Sequence, residues 1–292
     1  MPVVPMTLDP LRSNYWTLIK PRQTALLTLT GLAGYCSAQP SRAGWPIWLS
    51  LVGSLFLTIS GCTLINMVFD RDIDARMPRT ARRPIPAGLV TPAAGLSIGA
   101  GLASLGVLWA FSLSSFYAVL VIGGGMIDIF LYTLWLKRLT AWSILWGGLA
   151  GGMPILAGRV LAVGSLDTGG LLMTLAVVMW IPTHNLSLAL IFAEDYQQAC
   201  LPTFYSVYGP KTAQRASIFA SLLSGLAMTA VFVYATPAWW VLTLLSIMDA
   251  GLLYHGFFAW RNPSPITATR LYHYSTLYML FSMLLLVLST YL

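Results

Sequence analysis

Charge is what this sequence has least of. Of its 292 residues, 9 are acidic and 16 basic, where a soluble domain carries roughly a quarter charged residues. That scarcity excludes an ordinary solvated surface. Cysteine is rarer still: Cys36, Cys62 and Cys200 have no paired or metal-ligand spacing, which excludes a disulfide framework and a thiolate cluster. All three fall in or beside apolar runs, so buried, hydrophobe-like cysteines are expected. His184, His255 and His273 are equally scattered, and no local histidine metal motif exists. No run alternates apolar and polar residues, which excludes a transmembrane barrel. No linker or low-complexity tract divides the chain, so residues 1–292 are read as one integral-membrane domain.

What the sequence has instead is apolar length. Hydrophobic residues make up 57% of it and the mean hydropathy is +0.75. About 20 apolar residues cross a bilayer core, and nine such segments are expected, over 23–40, 46–67, 91–112, 115–136, 141–161, 169–192, 215–235, 238–259 and 271–291. The fold class is therefore all-α, a multi-pass bundle of nine transmembrane helices. Residues 1–22 hold Asp9, Arg12, Lys20 and Arg22 without an apolar core, and read as a cytoplasmic lead-in rather than a signal peptide. Gly147, Gly148, Gly151 and Gly152 in the fifth segment permit close packing, within the chain or between chains of an oligomer.

With the N-terminus inside, only Arg42 and Arg159 of the 16 basic residues fall on the outer side, leaving 14 cytoplasmic. That asymmetry is the positive-inside pattern. It predicts a plasma-membrane protein with its C-terminus outside, and it explains the net charge of +7 without nucleic acid. Asp128 and Asp249 fall within segments, where a carboxylate is costly and usually faces the protein interior.

The acids otherwise cluster. Asn66, Asp70 and Asp74 stand at i, i+4 and i+8, one face of a helix. Two carboxylates and an amide oxygen, a turn apart, suit Mg²⁺, which shares its shell with water and phosphate oxygens. A charged loop that only halts translocation is the alternative, although it needs no aspartates at helical spacing. A second cluster, Glu194-Asp195-Tyr196, ends the sixth segment. If the two ends meet, Asp195 faces Asp70 and Asp74 across a cavity near the cytoplasmic face; otherwise it is a charged helix end.

These residues resemble the UbiA superfamily of intramembrane prenyltransferases. Its first motif, NxxxDxxxD, is matched by Asn66, Asp70 and Asp74. Its second, DxxxD, is matched by Asp195 but has Ala199 at its end, a position expected to accept an aspartate sterically. Asp195-Tyr196, Ala199 and Pro202 are instead similar to the protohaem IX farnesyltransferase branch, as are Lys20-Pro21-Arg22, the run Asp70 to Asp74, Tyr132-Thr133 and Lys137-Arg138-Leu139-Thr140. The stretch Pro182 to Ala189 resembles that branch with Asn185 and Leu186 in place of two aromatics.

The resemblance implies Mg²⁺-dependent transfer of a prenyl group, farnesyl or another, from its pyrophosphate to haem b, giving haem O. Asp70, Asp74 and Asp195 are then catalytic, and with Asn66 they hold the metal. Lys20, Arg22, Arg71, Lys137 and Arg138 are the expected pyrophosphate ligands, and His184, Asp128, Tyr132 and Tyr196 the candidates for the acceptor cavity. A quinone precursor or isoprenoid lipid is the alternative acceptor. The rival outside enzymes is a proton-coupled transporter, which predicts acids at mid-membrane rather than at one rim.

Overall fold

The computed structural model describes residues 16–39, 44–235 and 238–291. Asp9, Arg12, most of the lead-in, Arg42 and the C-terminal residue 292 lie outside the described residues. Every regular element among those described is helical. The helices are α1 (Pro21–Cys36), α2 (Trp45–Phe69), α3 (Arg71–Arg76), α4 (Pro92–Leu113), α5 (Ser115–Met126), α6 (Ser143–Val163), α7 (Thr168–Ile191), α8 (Ala193–Gln198), α9 (Phe204–Ala235), α10 (Trp239–Arg261) and α11 (Pro265–Tyr291). Alpha-helix α5 passes into a π-helical segment, Ile127–Trp135, and a 3₁₀ turn, Leu136–Arg138.

Local chemistry sets the helix ends. Pro92 opens α4 in the first turn, and Thr91 accepts a hydrogen bond from Ala94 N at 3.2 Å, an N-cap with proline at N1. Asp167 caps α7 in the same way, accepting from Gly170 N at 2.8 Å. Ser114 is extended between α4 and α5, which places the expected break between the third and fourth segments. The seventh segment differs: its helix starts at Phe204 and bends at Gly209, whose φ of 81° interrupts the helical backbone.

Eight helices among the described residues are long and apolar enough to cross a membrane. The expected first span is the exception. Helix α1 has 16 residues, about 24 Å at 1.5 Å per residue, short of a bilayer core of about 30 Å. Eight helices among the described residues thus reach that length, and the shorter α1 stands in the place of the first expected segment.

Helix α2 is central, with 72% of its most apolar stretch buried, against 17% for α4 and 11% for the span through Arg138. Glycines let it approach α4 at backbone distance: a Cβ on Gly61 would meet Gly99 O at 2.5 Å, and one on Gly106 would meet Thr58 N at 2.6 Å. Helices α1 and α6 meet as closely, since a Cβ on Gly158 would lie 1.9 Å from Gly31 O. Gly148, Gly151 and Gly152 likewise receive Val178, Ile181 and Thr174 of α7, and Gly147 receives Tyr132, so this glycine run packs inside the chain. Cys36 and Cys62 are buried as expected, but Cys200 is exposed at a left-handed turn with φ 54°.

Arg159 of α6 ties together the end of the bundle far from the acidic motifs. Its Nη2 lies 2.7 Å from Asp167 Oδ2 and its Nη1 donates to Ser37 Oγ at 3.1 Å. Burial pushes the Asp167 carboxyl up, but the hydrogen bonds from Arg159 and Gly170 N outweigh it and hold the group below its ordinary value.

Candidate active site

Helix α2 runs apolar to Phe69 and breaks at Asp70 (φ −86°, ψ 2°) before the short α3. The helical hydrogen bonds survive the break: Asp70 N donates to Asn66 O at 2.9 Å and Asp74 N to Asp70 O at 2.7 Å. The i, i+4, i+8 register is therefore kept, and Asn66, Asp70 and Asp74 are 7%, 4% and 5% exposed. Buried carboxylates demand partners, and each has found a cation. Lys137 Nζ lies 2.5 Å from Asp70 Oδ2, and Arg83 Nη1 lies 2.8 Å from Asp74 Oδ2. The other Asp70 oxygen, Oδ1, is buried with no hydrogen-bond partner.

Two local features bring those cations in. The loop after α3 folds back through a turn in which Thr80 Oγ1 donates to Asp74 O at 2.9 Å, and Ile85 and Val90 anchor it on Leu18, Leu64, Met67 and Val68. That return delivers Arg83. Lys137 arrives from the other side at the end of the π segment, its ammonium 5.7 Å from the centre of the Tyr132 ring. Asn66 Nδ2 donates to Thr133 Oγ1 at 2.6 Å, and Thr133 Oγ1 donates to Asp128 O at 2.7 Å.

Lys20, at the N-cap of α1, has a left-handed backbone (φ 43°). Burial, and then the nearby cations Arg83 and Lys137, lower its ammonium pKa to about 8. Arg138 is committed elsewhere: it grips both Asp72 oxygens, at 2.8 and 2.7 Å, and donates to Phe69 O. Its hydrogen bonds hold the Asp72 carboxyl below the ordinary range. With both side chains more than 40% exposed, that pair adds at most about 1 kcal/mol. Arg22 and Arg71 are exposed.

The second motif reaches the same end of the bundle. Helix α7 stops at Ile191, and α8 carries Asp195, whose Oδ2 accepts from Arg79 N at a long 3.4 Å. The Arg79 guanidinium lies 4.6 Å from the centre of the Phe192 ring. Ile73 and Met77 pack on Tyr196, Ala199 and Leu201, so apolar contact joins the two motifs. Among the described residues, no three His, Cys, Asp or Glu side chains form a metal-binding group. Asp195 meets the loop after the first motif through Arg79 N. Ala199 is 4% exposed within the apolar cluster. An aspartate at this position would have to be desolvated among Ile73, Met77 and Leu201, whatever the space allows.

A cavity of about 140 Å³ lies beyond Lys137, walled by Tyr132, Tyr196, Asn185, Leu186, Pro202 and Phe204 among others. Tyr132 and Tyr196 thus stand together, as the sequence suggests. His184 does not join them. It faces α11, with Nδ1 3.3 Å from Thr276 Oγ1 and its ring between Trp180 and Tyr272. Asp128 accepts from Thr133 through its carbonyl, and its carboxylate lies within electrostatic reach of Lys20, Lys137 and Asp70. Asp249 is spent on structure, accepting from Tyr278 at 2.7 Å and Thr229 at 2.9 Å. Sequence reasoning missed Arg83 as a partner of Asp74, and it missed Thr133. Asn185, noted there only as a replacement for an aromatic, turns out to line the cavity.

Comparison with known proteins agrees with this architecture. A model of the UbiA prenyltransferase family matches residues 27–287. The chain is 36% identical over 253 residues to the protoheme IX farnesyltransferase of Archaeoglobus fulgidus, covering 87% of this chain and 89% of that one. It is 34% identical over 261 residues to the protein of the same name from Korarchaeum cryptofilum, with 89% and 88% covered. Among solved structures, one described as a digeranylgeranylglyceryl phosphate synthase superposes with a TM-score of 0.77 at 18% identity, covering 97% of this chain and 99% of that one. A UbiA homolog from Archaeoglobus fulgidus bound to DMAPP and Mg²⁺ superposes with a TM-score of 0.71 at 16% identity, covering 94% and 99%. At such identities the two structures speak for the fold alone.

Proposed function

We propose, for a chain that belongs to the UbiA prenyltransferase family, that it transfers a farnesyl group from farnesyl pyrophosphate to haem b, with Asn66, Asp70 and Asp74 holding Mg²⁺. The observation that carries the metal reading is Asp70 Oδ1, a buried carboxylate oxygen without a partner. An anionic oxygen left bare at 4% exposure is costly, and a divalent cation relieves that cost. The donor set, two carboxylates and an amide oxygen, fits a hard cation. Bound there, Mg²⁺ would stabilise the negative charge that develops on the pyrophosphate as its C–O bond breaks.

The chain's own cations do the rest. Lys137 and Arg83 already sit at the carboxylates, and Lys20 is electrostatically close to both. These three are the pyrophosphate ligands we propose, Arg83 taking the place first given to Arg138. Arg138, locked on Asp72 and Phe69 O, holds the end of the π segment against α3. Asp195 acts from the Arg79 side.

The acceptor reading draws on the names of the curated relatives. A vinyl carbon of haem b attacks C1 of the donor, the C1–O bond breaks, and pyrophosphate leaves with the electron pair. Water adds to the resulting cation and loses a proton, which leaves a hydroxyethylfarnesyl substituent. Tyr132, Tyr196 and Asn185 are the cavity groups that would orient the acceptor. The site opens at the cytoplasmic face of the plasma membrane, the N-terminus inside and the C-terminus outside, in a single domain. Family membership displaces the transporter reading. Mass spectrometry of haem from membranes containing this protein tests the acceptor: a mass gain equal to one farnesyl and one hydroxyl group is expected. Unchanged haem, alongside prenylation of a quinone precursor or isoprenoid lipid, would replace it.

A further inference from the structure

Asn66 is a lopsided ligand for a cation. A carboxylate presents two equivalent oxygens, whereas an amide turned by 180° offers N–H groups to the metal instead. Some neighbour must fix which way round it sits. The geometry points to Thr133 as the positioning residue that aims the Asn66 amide oxygen into the metal site.

Thr133 has one hydroxyl proton, and it goes to Asp128 O at 2.7 Å. Only lone pairs remain on Oγ1, so the Asn66 atom 2.6 Å away must be the donor Nδ2. The amide oxygen is thereby sent to the opposite edge of the group. Thr133 is 1% exposed and Asn66 7%, so the contact is shut away from bulk solvent. The π segment makes the relay possible. In an α-helix a threonine hydroxyl reaches the carbonyl three or four residues back, but here Thr133 reaches Asp128, five back. The widened turn that bears Thr133 is thus tied to the site, as π turns often are. Neither family motif includes this residue.

The inference rests on the reading of Asn66 as a metal ligand, and binding of Mn²⁺ in the presence of inorganic pyrophosphate, followed by electron paramagnetic resonance, separates the two. Thr133→Val keeps the shape without the hydroxyl and should weaken Mn²⁺ roughly tenfold, as loss of an outer partner does. Thr133→Ser should stay within about twofold of wild type, since it retains the relay. In an Asn66→Asp background either oxygen serves, so adding Thr133→Val should cost less than about twofold. Wild-type Mn²⁺ binding by Thr133→Val, or the same tenfold loss on both backgrounds, overturns the positioning role. Should Asn66→Asp alone bind no Mn²⁺, the contrast between the valine and serine variants decides. Undiminished Mn²⁺ binding by Asn66→Ala would instead remove Asn66 from the metal, and with it the underlying reading.

Discussion

Lys137 and Asp70 form a half-used pair: the ammonium takes one carboxylate oxygen at 2.5 Å, and the other oxygen, buried, is bare. A cation is thus already competing for the carboxylate that the proposed metal needs. Lys137→Gln should bind Mn²⁺ alone more tightly than wild type, yet lose at least about 100-fold in turnover through the missing pyrophosphate contact. Asp70→Ala and Asp74→Ala should abolish turnover, as should EDTA on wild type. Prenyl transfer in detergent, with and without divalent metal, checks all four; full activity without metal would exclude the mechanism.

Asp195 and Glu194 differ in what they touch. Asp195 is half-buried beside Arg79 N, and Glu194 is exposed. Asp195→Asn should therefore lower kcat/KM by about tenfold or more, a loss near 1.4 kcal/mol, while Glu194→Gln stays within about twofold. Equal, mild losses would reduce Asp195 to a helix end.

Lys20 predicts a proton linkage. Its ammonium, lowered from 10.5 to about 8, is charged below that pH and largely neutral above it. A bound anion favours the charged form, so pyrophosphate binding just above pH 8 should draw a proton from the buffer. Calorimetry in buffers of different ionisation enthalpy measures that uptake. Lys20→Arg, charged throughout, should bind without it, and equal uptake by both proteins would sink the assignment.

Cys200 turns the topology into a measurement. It is the exposed cysteine at the site end, whereas Cys36 and Cys62 are buried. A membrane-impermeant maleimide should label Cys200 in inverted vesicles and not in intact cells. Labelling from outside would invert the bundle and place the carboxylates on the wrong face.

Stability should respond to α1 packing. A Cβ at Gly158 meets the Gly31 carbonyl at 1.9 Å, while one at Gly101 meets nothing within 4 Å. Gly158→Ala should cost at least about 1–3 kcal/mol, and Gly101→Ala should gain about 0.5–1 kcal/mol. Thermal unfolding in detergent reads both; indifference at Gly158 would contradict the close approach.

The helices and the first motif were legible because length, proline and capping residues mark ends, and because acids are conspicuous in an apolar chain. Phase was not. Helices that are apolar all round carry no stripe to say which face looks inward, so His184 could be placed on α7 but not turned toward α11. The π segment was hidden for the same reason: a turn wider than the α-helical 3.6 residues leaves no trace in Ile127–Trp135, where nearly every residue is apolar. Arg83 reaches Asp74 through a non-helical return that no spacing rule describes. Cys200 escaped because the chain leaves the helix at Gln198 and turns left-handed two residues later.

The glycine seam between α2 and α4 has a mechanical meaning. Two helices in side-chain contact can slip past each other by choosing new rotamers, but Gly61, Gly99 and Gly106 remove the parts that would slip. The outer helix, mostly in contact with lipid, and the inner one, whose last turn holds Asn66, therefore move as one lever.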